Sequence, residues 1–221
     1  MKIGFLLFPG VTQLDMTGPL QVLSRLPDAD VSIVAKNTAP ISTDTPLKLV
    51  PTHSFDQVGQ LDMIVVPGGF GVTDALRDSE TVDFIRTIGG SATYTTSVCT
   101  GALLLGGAGL LKGRKATTHW AYTGLLALCG AEHTPGRVVR DGNVFTGGGV
   151  TAGIDFAFSI IKDIAGPQTA EAIQLGIEYN PDPPTQAGHP DLAHPKLLAA
   201  MQKRYEEPYA ASRAALEHAL G

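Results

Sequence analysis

Thr96-Ser97-Val98-Cys99-Thr100-Gly101 runs extended-type residues straight into a cysteine, and Gly101-Ala102-Leu103-Leu104-Leu105 continues with helical character. A side chain on such a strand-to-helix turn projects above the end of a sheet, with the following N–H groups pointing back at it. For a cysteine this is the pattern of a nucleophile elbow, because the thiolate is the reactive form and unpaired N–H groups at a helix start favour it. Cys99 is the candidate nucleophile; the alternative is a small buried hydrophobe, which most free cysteines are. A thiol activated in this way would titrate below the free value of about 8.5 and would oxidise readily.

Two other segments supply complementary groups. Asp15 lies in Gln13-Leu14-Asp15-Met16-Thr17-Gly18-Pro19, after the first strand-like run, and Gly68 and Gly69 lie in Val66-Pro67-Gly68-Gly69-Phe70-Gly71, after another. Asp15 reads either as the N-cap of the first helix or as a general acid/base beside the sulfur, its pKa raised by burial and like charge. The N–H groups of Gly69 and Thr100 could form an anion-stabilising pocket, or the glycine pair could be only a tight turn. Thr100 also has a hydroxyl to offer to a reacting atom or to Asp15. Familiar cysteine hydrolases set a histidine against the sulfur, and here threonine follows Cys99. His119, in Thr117-Thr118-His119-Trp120, is the best placed histidine; it and Trp120 read as pocket or support, with a core or interface histidine as the alternative. Gly148, in Gly147-Gly148-Gly149, is a further support position that would give a neighbouring helix room to shift. No spacing among histidines, cysteines and acids resembles a metal site, so no metal is expected.

The elements that must position these groups alternate. Strands are predicted at Ile3–Phe8, Val31–Ala35, Met63–Val66 and Ala92–Val98, and helices at Met16–Leu26, Ser79–Ile88 and Thr100–Ala108. Alternation of this kind makes a mainly parallel α/β sheet covered on both faces, with Asp15, Gly68-Gly69 and Cys99 on loops at the carboxyl ends of strands. Lys115–Thr118 reads as a further strand, and Val138–Arg140 with Val144–Thr146 as a hairpin across Asp141-Gly142. Helices follow at Ala152–Ala165 and Gln168–Tyr179, the second with Pro167 in a favoured first-turn position. Residues 1–180 therefore read as one α/β domain. Residues 181–221 read as a proline-rich linker and a helical tail, Pro195–Leu220, which Pro208 should interrupt or kink and which would pack on a partner subunit.

Composition narrows the partners. With 221 residues, 43% of them hydrophobic, the chain can bury a large core. Two cysteines give no disulfide framework and fit a reducing cytoplasm. The apolar start is strand-length and closed by Pro9, and the longest apolar stretch, near Ala102 to Leu111, is glycine-broken and about half of what a membrane helix needs. No membrane contact is expected. A formal net charge of -5 without a basic stripe argues against nucleic acid. Small-molecule chemistry is what remains.

The combination of Ile3-Gly4-Phe5-Leu6-Leu7-Phe8-Pro9, Leu14-Asp15-Met16-Thr17-Gly18-Pro19, Pro67-Gly68-Gly69, Ser97-Val98-Cys99-Thr100-Gly101, Ala116-Thr117-Thr118-His119-Trp120 and Thr146-Gly147-Gly148-Gly149-Val150 resembles the ThiJ/PfpI superfamily from Ile3 to about Pro184. Most of that superfamily is similar in carrying glutamate where Asp15 stands, and many members carry histidine where Thr100 stands. Aspartate paired with Cys-Thr resembles the isocyanide hydratases within it. The resemblance implies a flavodoxin-like three-layer sandwich, a homodimer, and cofactor-free hydration of an isocyanide to an N-formamide. Cys99 would add to the isocyanide carbon, with Asp15 as acid/base and Thr100 beside it. The same Cys-Thr-Gly and Thr-Thr-His-Trp pattern also resembles the ligand-sensing domain of AraC-type transcription regulators, which is one rival; the other is a different ThiJ/PfpI activity such as a glyoxalase, which would call for a histidine near the thiol and a glutamate where Asp15 stands.

Overall fold

The computed structural model describes residues 1–221. Its strands are β1 (Lys2–Leu6), β2 (Asp30–Ala35), β3 (Ile41–Ser42), β4 (Lys48–Leu49), β5 (His53–Ser54), β6 (Met63–Val66), β7 (Tyr94–Val98), β8 (Lys115–Ala116), β9 (Glu132–His133), β10 (Val138–Asp141) and β11 (Val144–Gly147). Its helices are α1 (Gln13–Leu23), α2 (Val72–Arg77), α3 (Ser79–Ser91), α4 (Gly101–Gly107), α5 (Ala152–Ala165), α6 (Pro167–Gly176) and α7 (Pro195–Leu220). Seven strands form one sheet in the order β10-β11-β7-β6-β1-β2-β5, parallel except for the β10–β11 pair.

Helices cover both faces, and the sequence of the central strands follows from that. All four residues of β6, Met63-Ile64-Val65-Val66, are buried, as expected of a strand with no wet face. α1 packs on α5 on one side of the sheet, while α2, α3 and α4 pack together on the other. This is the flavodoxin-like α/β sandwich. β1 is hydrogen-bonded to β2 on one side and β6 on the other, so the connections leaving these strands diverge. The carboxyl ends of strands beside such a switch point are where open α/β sheets bind ligands; the turns after β6 and β7 carry Gly68 and Cys99, and the first turn of α1, which follows β1, carries Asp15.

At the sheet edge the hairpin forms as expected, with Asp141 opposite Val144 and Gly142 at φ +61°. α2 was not anticipated: six residues beginning Val72-Thr73 are too short to show a helical period. Lys115–Thr118 yields only β8, which pairs with β9 outside the main sheet. Pro208 does not interrupt α7, which is helical from Pro195 to Leu220. The cost of about 3 kcal/mol for an internal proline is offset by packing on either side of it: Tyr205 packs against the apolar core before it, and after it Ser212, Ala215 and Leu216 are buried, the last two within that core. The C-terminal helix thus packs on α2 and α4 of its own chain.

Candidate functional site

Cys99 is held in a conformation that few side chains adopt. It sits between β7 and α4 with φ +56°, a left-handed backbone that costs on the order of 1 kcal/mol or more away from glycine. Both of its backbone polar groups are clamped. Cys99 N–H donates to Gly148 O at 2.8 Å and Gly147 O at 3.1 Å, and the buried Thr118 hydroxyl donates to Cys99 O at 2.7 Å. On the helix side only glycine fits at position 101, because a Cβ there would lie 2.1 Å from Val66 O.

Asp15 reaches the same point from the first turn of α1, which follows β1. It is the third residue of α1, whose N-cap is Thr12, and it is fully buried. The capping alternative therefore does not hold. Its Oδ2 accepts the Gly68 N–H at 2.9 Å, while Oδ1 has no aligned partner. Burial raises the Asp15 pKa from 3.8 to about 7, against the Gly68 N–H and the Cys99 thiol, which favour the carboxylate; the charge of Asp44 adds slightly to the rise.

The sulfur does not titrate as the sequence led us to expect. Burial first, and then the Asp15 charge, push the Cys99 pKa well above the ordinary thiol value, outweighing backbone hydrogen bonds from Val150 and Thr100 that favour the thiolate. Two acids so close in a dry site hold on to a proton between them, and the pair titrates as one unit. Above about pH 7 it carries one proton, either as thiol and carboxylate or as thiolate and carboxylic acid.

The anion-stabilising pair expected from Gly69 and Thr100 is rearranged. Gly69 N–H donates to Thr100 Oγ1 at 3.0 Å, and that hydroxyl donates weakly to Gly69 O at 3.3 Å. Gly69 is thus committed to Thr100, and the backbone donors at the sulfur are those of Thr100 and Val150. Gly69 has its own reason to be glycine: φ is +131°, and a Cβ would fall 2.5 Å from Thr12 N.

Above the sulfur is a cleft of about 60 Å³, walled chiefly by Phe70, His119, Tyr122, Val150 and Tyr205. His119 therefore lines the cleft beside Cys99. Burial lowers its pKa to about 4, so at pH 7 it is a neutral wall whose Nδ1 accepts the Ala121 N–H at 3.3 Å. Trp120 does not line the cleft; its ring stands behind, 5.5 Å from those of His119 and Tyr205. Gly148 lies outside the cleft as well and contributes the carbonyl that fixes Cys99. A larger concavity of about 580 Å³ between the ends of β1 and β2 and α2 is lined by no cysteine or histidine, and its one lysine, Lys36, is paired with Asp78 and Glu80. No three histidine, cysteine or acidic side chains cluster as metal ligands would.

Sequence reasoning missed Thr118, Tyr122, Val150 and Tyr205. Thr118 stood in a segment already singled out, where Ala116, Thr117 and Thr118 are all buried. Tyr205 had none, since it arrives from the middle of α7.

Residues 1–163 match the sequence profile of the DJ-1/PfpI family. The chain is 52% identical to the isonitrile hydratase of Pseudomonas putida over 92% of its own length and 90% of that protein. It superposes on the crystal structure of a ThiJ/PfpI family protein from Pseudomonas syringae with a TM-score of 0.95 and 42% identity, covering 97% of this chain and 90% of that one. Drosophila melanogaster DJ-1beta, at 22% identity, shares the fold with a TM-score of 0.70 over 81% of this chain and 98% of that one.

Proposed function

The chain belongs to the DJ-1/PfpI family, and on that footing we propose that it is an isocyanide hydratase, adding water to an isocyanide and releasing an N-substituted formamide. The observation that carries the reading is the Cys99–Asp15 pair, a nucleophile elbow and a buried carboxyl holding one proton with no histidine between them. The name of the Pseudomonas putida relative supplies the substrate class.

An isocyanide carbon accepts a nucleophile and then needs a proton on the same atom. Sγ of Cys99 bonds to that carbon, and Asp15 delivers the pair's single proton to it, giving a thioimidate. Asp15 is now a carboxylate. It takes a proton from water as the oxygen attacks the carbon, and the tetrahedral adduct collapses with the C–S electron pair returning to sulfur. Thr100 and Val150 backbone groups favour the departing thiolate. One carboxyl serves both half-reactions because burial sets its pKa at about 7. The balance, isocyanide plus water to formamide, transfers no electrons, so the reaction requires no redox partner.

We also read the protein as a cytoplasmic homodimer. Exposed Leu47 and Val50 near β4, and Leu175 on α6, offer apolar surface for a second copy, and no helix is long and apolar enough to cross a membrane. Incubation with an aryl isocyanide tests the activity: formamide should appear with wild type and not with Cys99→Ala. A wild type that makes no formamide from aryl or alkyl isocyanides would refute the reading.

A further inference from the structure

Hydration places two protons on the substrate, one on carbon and one on nitrogen, and Asp15 accounts directly only for the first. Asp15 is fully buried and does not line the cleft. Sulfur and carboxyl therefore address the carbon from within, and the nitrogen with its R group must lie on the cleft side.

The groups awaiting it there are two tyrosines. Tyr122 follows Thr118-His119-Trp120 in the chain, and Tyr205 comes from α7; both line the cleft, with rings 5.9 Å apart at 78°. Tyr122 is only 4% exposed. No protein group hydrogen-bonds either hydroxyl, and neither is sealed from the cleft, so both are free to donate to a ligand there. Cys99 lines the same cleft as both rings, and its charge adds to the rise in both phenol pKa values. Burial leads the causes that raise both pKa values, so both are neutral donors at pH 7.

We propose that the facing phenols of Tyr122 and Tyr205 are the acid at the substrate nitrogen, acting in the second half of the reaction. As water adds to the thioimidate carbon, its proton goes to Asp15 and the C=N electron pair moves to nitrogen. A phenol O–H is transferred to that nitrogen. On collapse the C–S bond breaks, the new hydroxyl becomes the carbonyl and returns its proton to the phenolate, and Cys99 and Asp15 are left again with one proton. Formation of the thioimidate needs no proton on nitrogen, so the two half-reactions should respond differently to loss of the phenols.

The proposal rests on the hydratase reading, and rapid mixing with intact-protein mass spectrometry separates the two. With an aryl isocyanide, Tyr122→Phe, Tyr205→Phe and the double variant should form the covalent adduct within about threefold of the wild-type rate, while in the double variant adduct breakdown slows at least about tenfold. Enzyme plus the mass of the isocyanide then becomes the main steady-state species. Unchanged turnover in the double variant would overturn the proposal, and so would slowed adduct formation without accumulation. Accumulation in a His119→Leu variant, with both tyrosine variants turning over normally, would move the role to His119. A wild type without turnover would instead strike the hydratase reading itself.

Discussion

Gly68 N–H donates to Asp15 Oδ2 at 2.9 Å, and the position a Cβ would occupy on Gly68 lies 2.9 Å from that same oxygen and 2.5 Å from Thr100 N. The absent side chain is what allows the loop after β6 to lie between the carboxyl and the turn that carries the sulfur.

Gly68→Ala should therefore cost activity heavily. The methyl group meets backbone on one side and the Asp15 carboxyl on the other, so the loop must move and the hydrogen bond to Asp15 with it. We expect kcat/KM to fall at least about a hundredfold, a loss typical of misplaced catalytic groups, with the protein still folded by circular dichroism. Near-wild-type kinetics would mean that the carboxyl does not depend on this contact.

Asp15→Asn should trade activity for stability. The folded pKa is about 7 against 3.8 for the ordinary side chain. Between those values the folded chain holds a proton that the unfolded chain has released, so wild-type stability falls as pH rises across this window. Above about pH 7 the full cost is present. Three pH units correspond to roughly 4 kcal/mol as an upper bound, and an amide removes the charge that causes it. Denaturant titrations of the two proteins at pH 4 and pH 8 should show the variant gaining stability on wild type as pH rises, while its turnover is lost.

The same substitution should make the thiol more reactive. Burial and the Asp15 charge hold the Cys99 pKa up; with the charge gone, only burial remains. At pH 8 the variant should be alkylated by iodoacetamide several-fold faster than wild type, on the order expected for an increased thiolate fraction. Equal or slower alkylation would show that the carboxylate does not oppose ionisation of the sulfur.

Much of this arrangement was readable in the chain, and the parts that were not share a cause. The alternation of strand and helix signals placed Asp15, Gly68 and Cys99 at one edge of a parallel sheet because those signals are local and periodic. Direction of titration was not local. Cys99 looked activated from its turn alone, but its pKa depends on how much apolar material closes over it and on the charge of Asp15, which only the fold brings near. Tyr205 stands on α7 among exposed charged residues, and nothing in that stretch indicates which turn of the helix faces the cleft. Asp15 as an N-cap was the reasonable local reading; three residues of α1 before Met16 displaced it to the first turn, where its side chain points inward.

Thr118 is expected to matter without touching substrate. Its hydroxyl donates to the Cys99 carbonyl at 2.7 Å and helps to fix φ at +56°. Thr118→Val keeps the shape and removes the donor, leaving the Cys99 carbonyl with only the long 3.4 Å bond from the Ala102 N–H, at a cost of about 1 kcal/mol. Thermal denaturation should register that loss. Single-turnover adduct formation should slow while breakdown of the adduct, once formed, stays close to wild type.

The pH dependence of adduct formation tests the shared proton most directly. Below about pH 7 the Cys99–Asp15 pair carries two protons and one must leave before sulfur can attack; above that value one proton remains, and it is the one the substrate carbon receives. With an aryl isocyanide, the rate of thioimidate formation should rise through a single ionisation near 7, then stay level to strongly alkaline pH. The limb should vanish in Asp15→Asn, and the adduct itself in Cys99→Ala. A rate that rises only in the free-thiol range, above about 8.5, and is indifferent to Asp15 would contradict the pair as the centre of the mechanism.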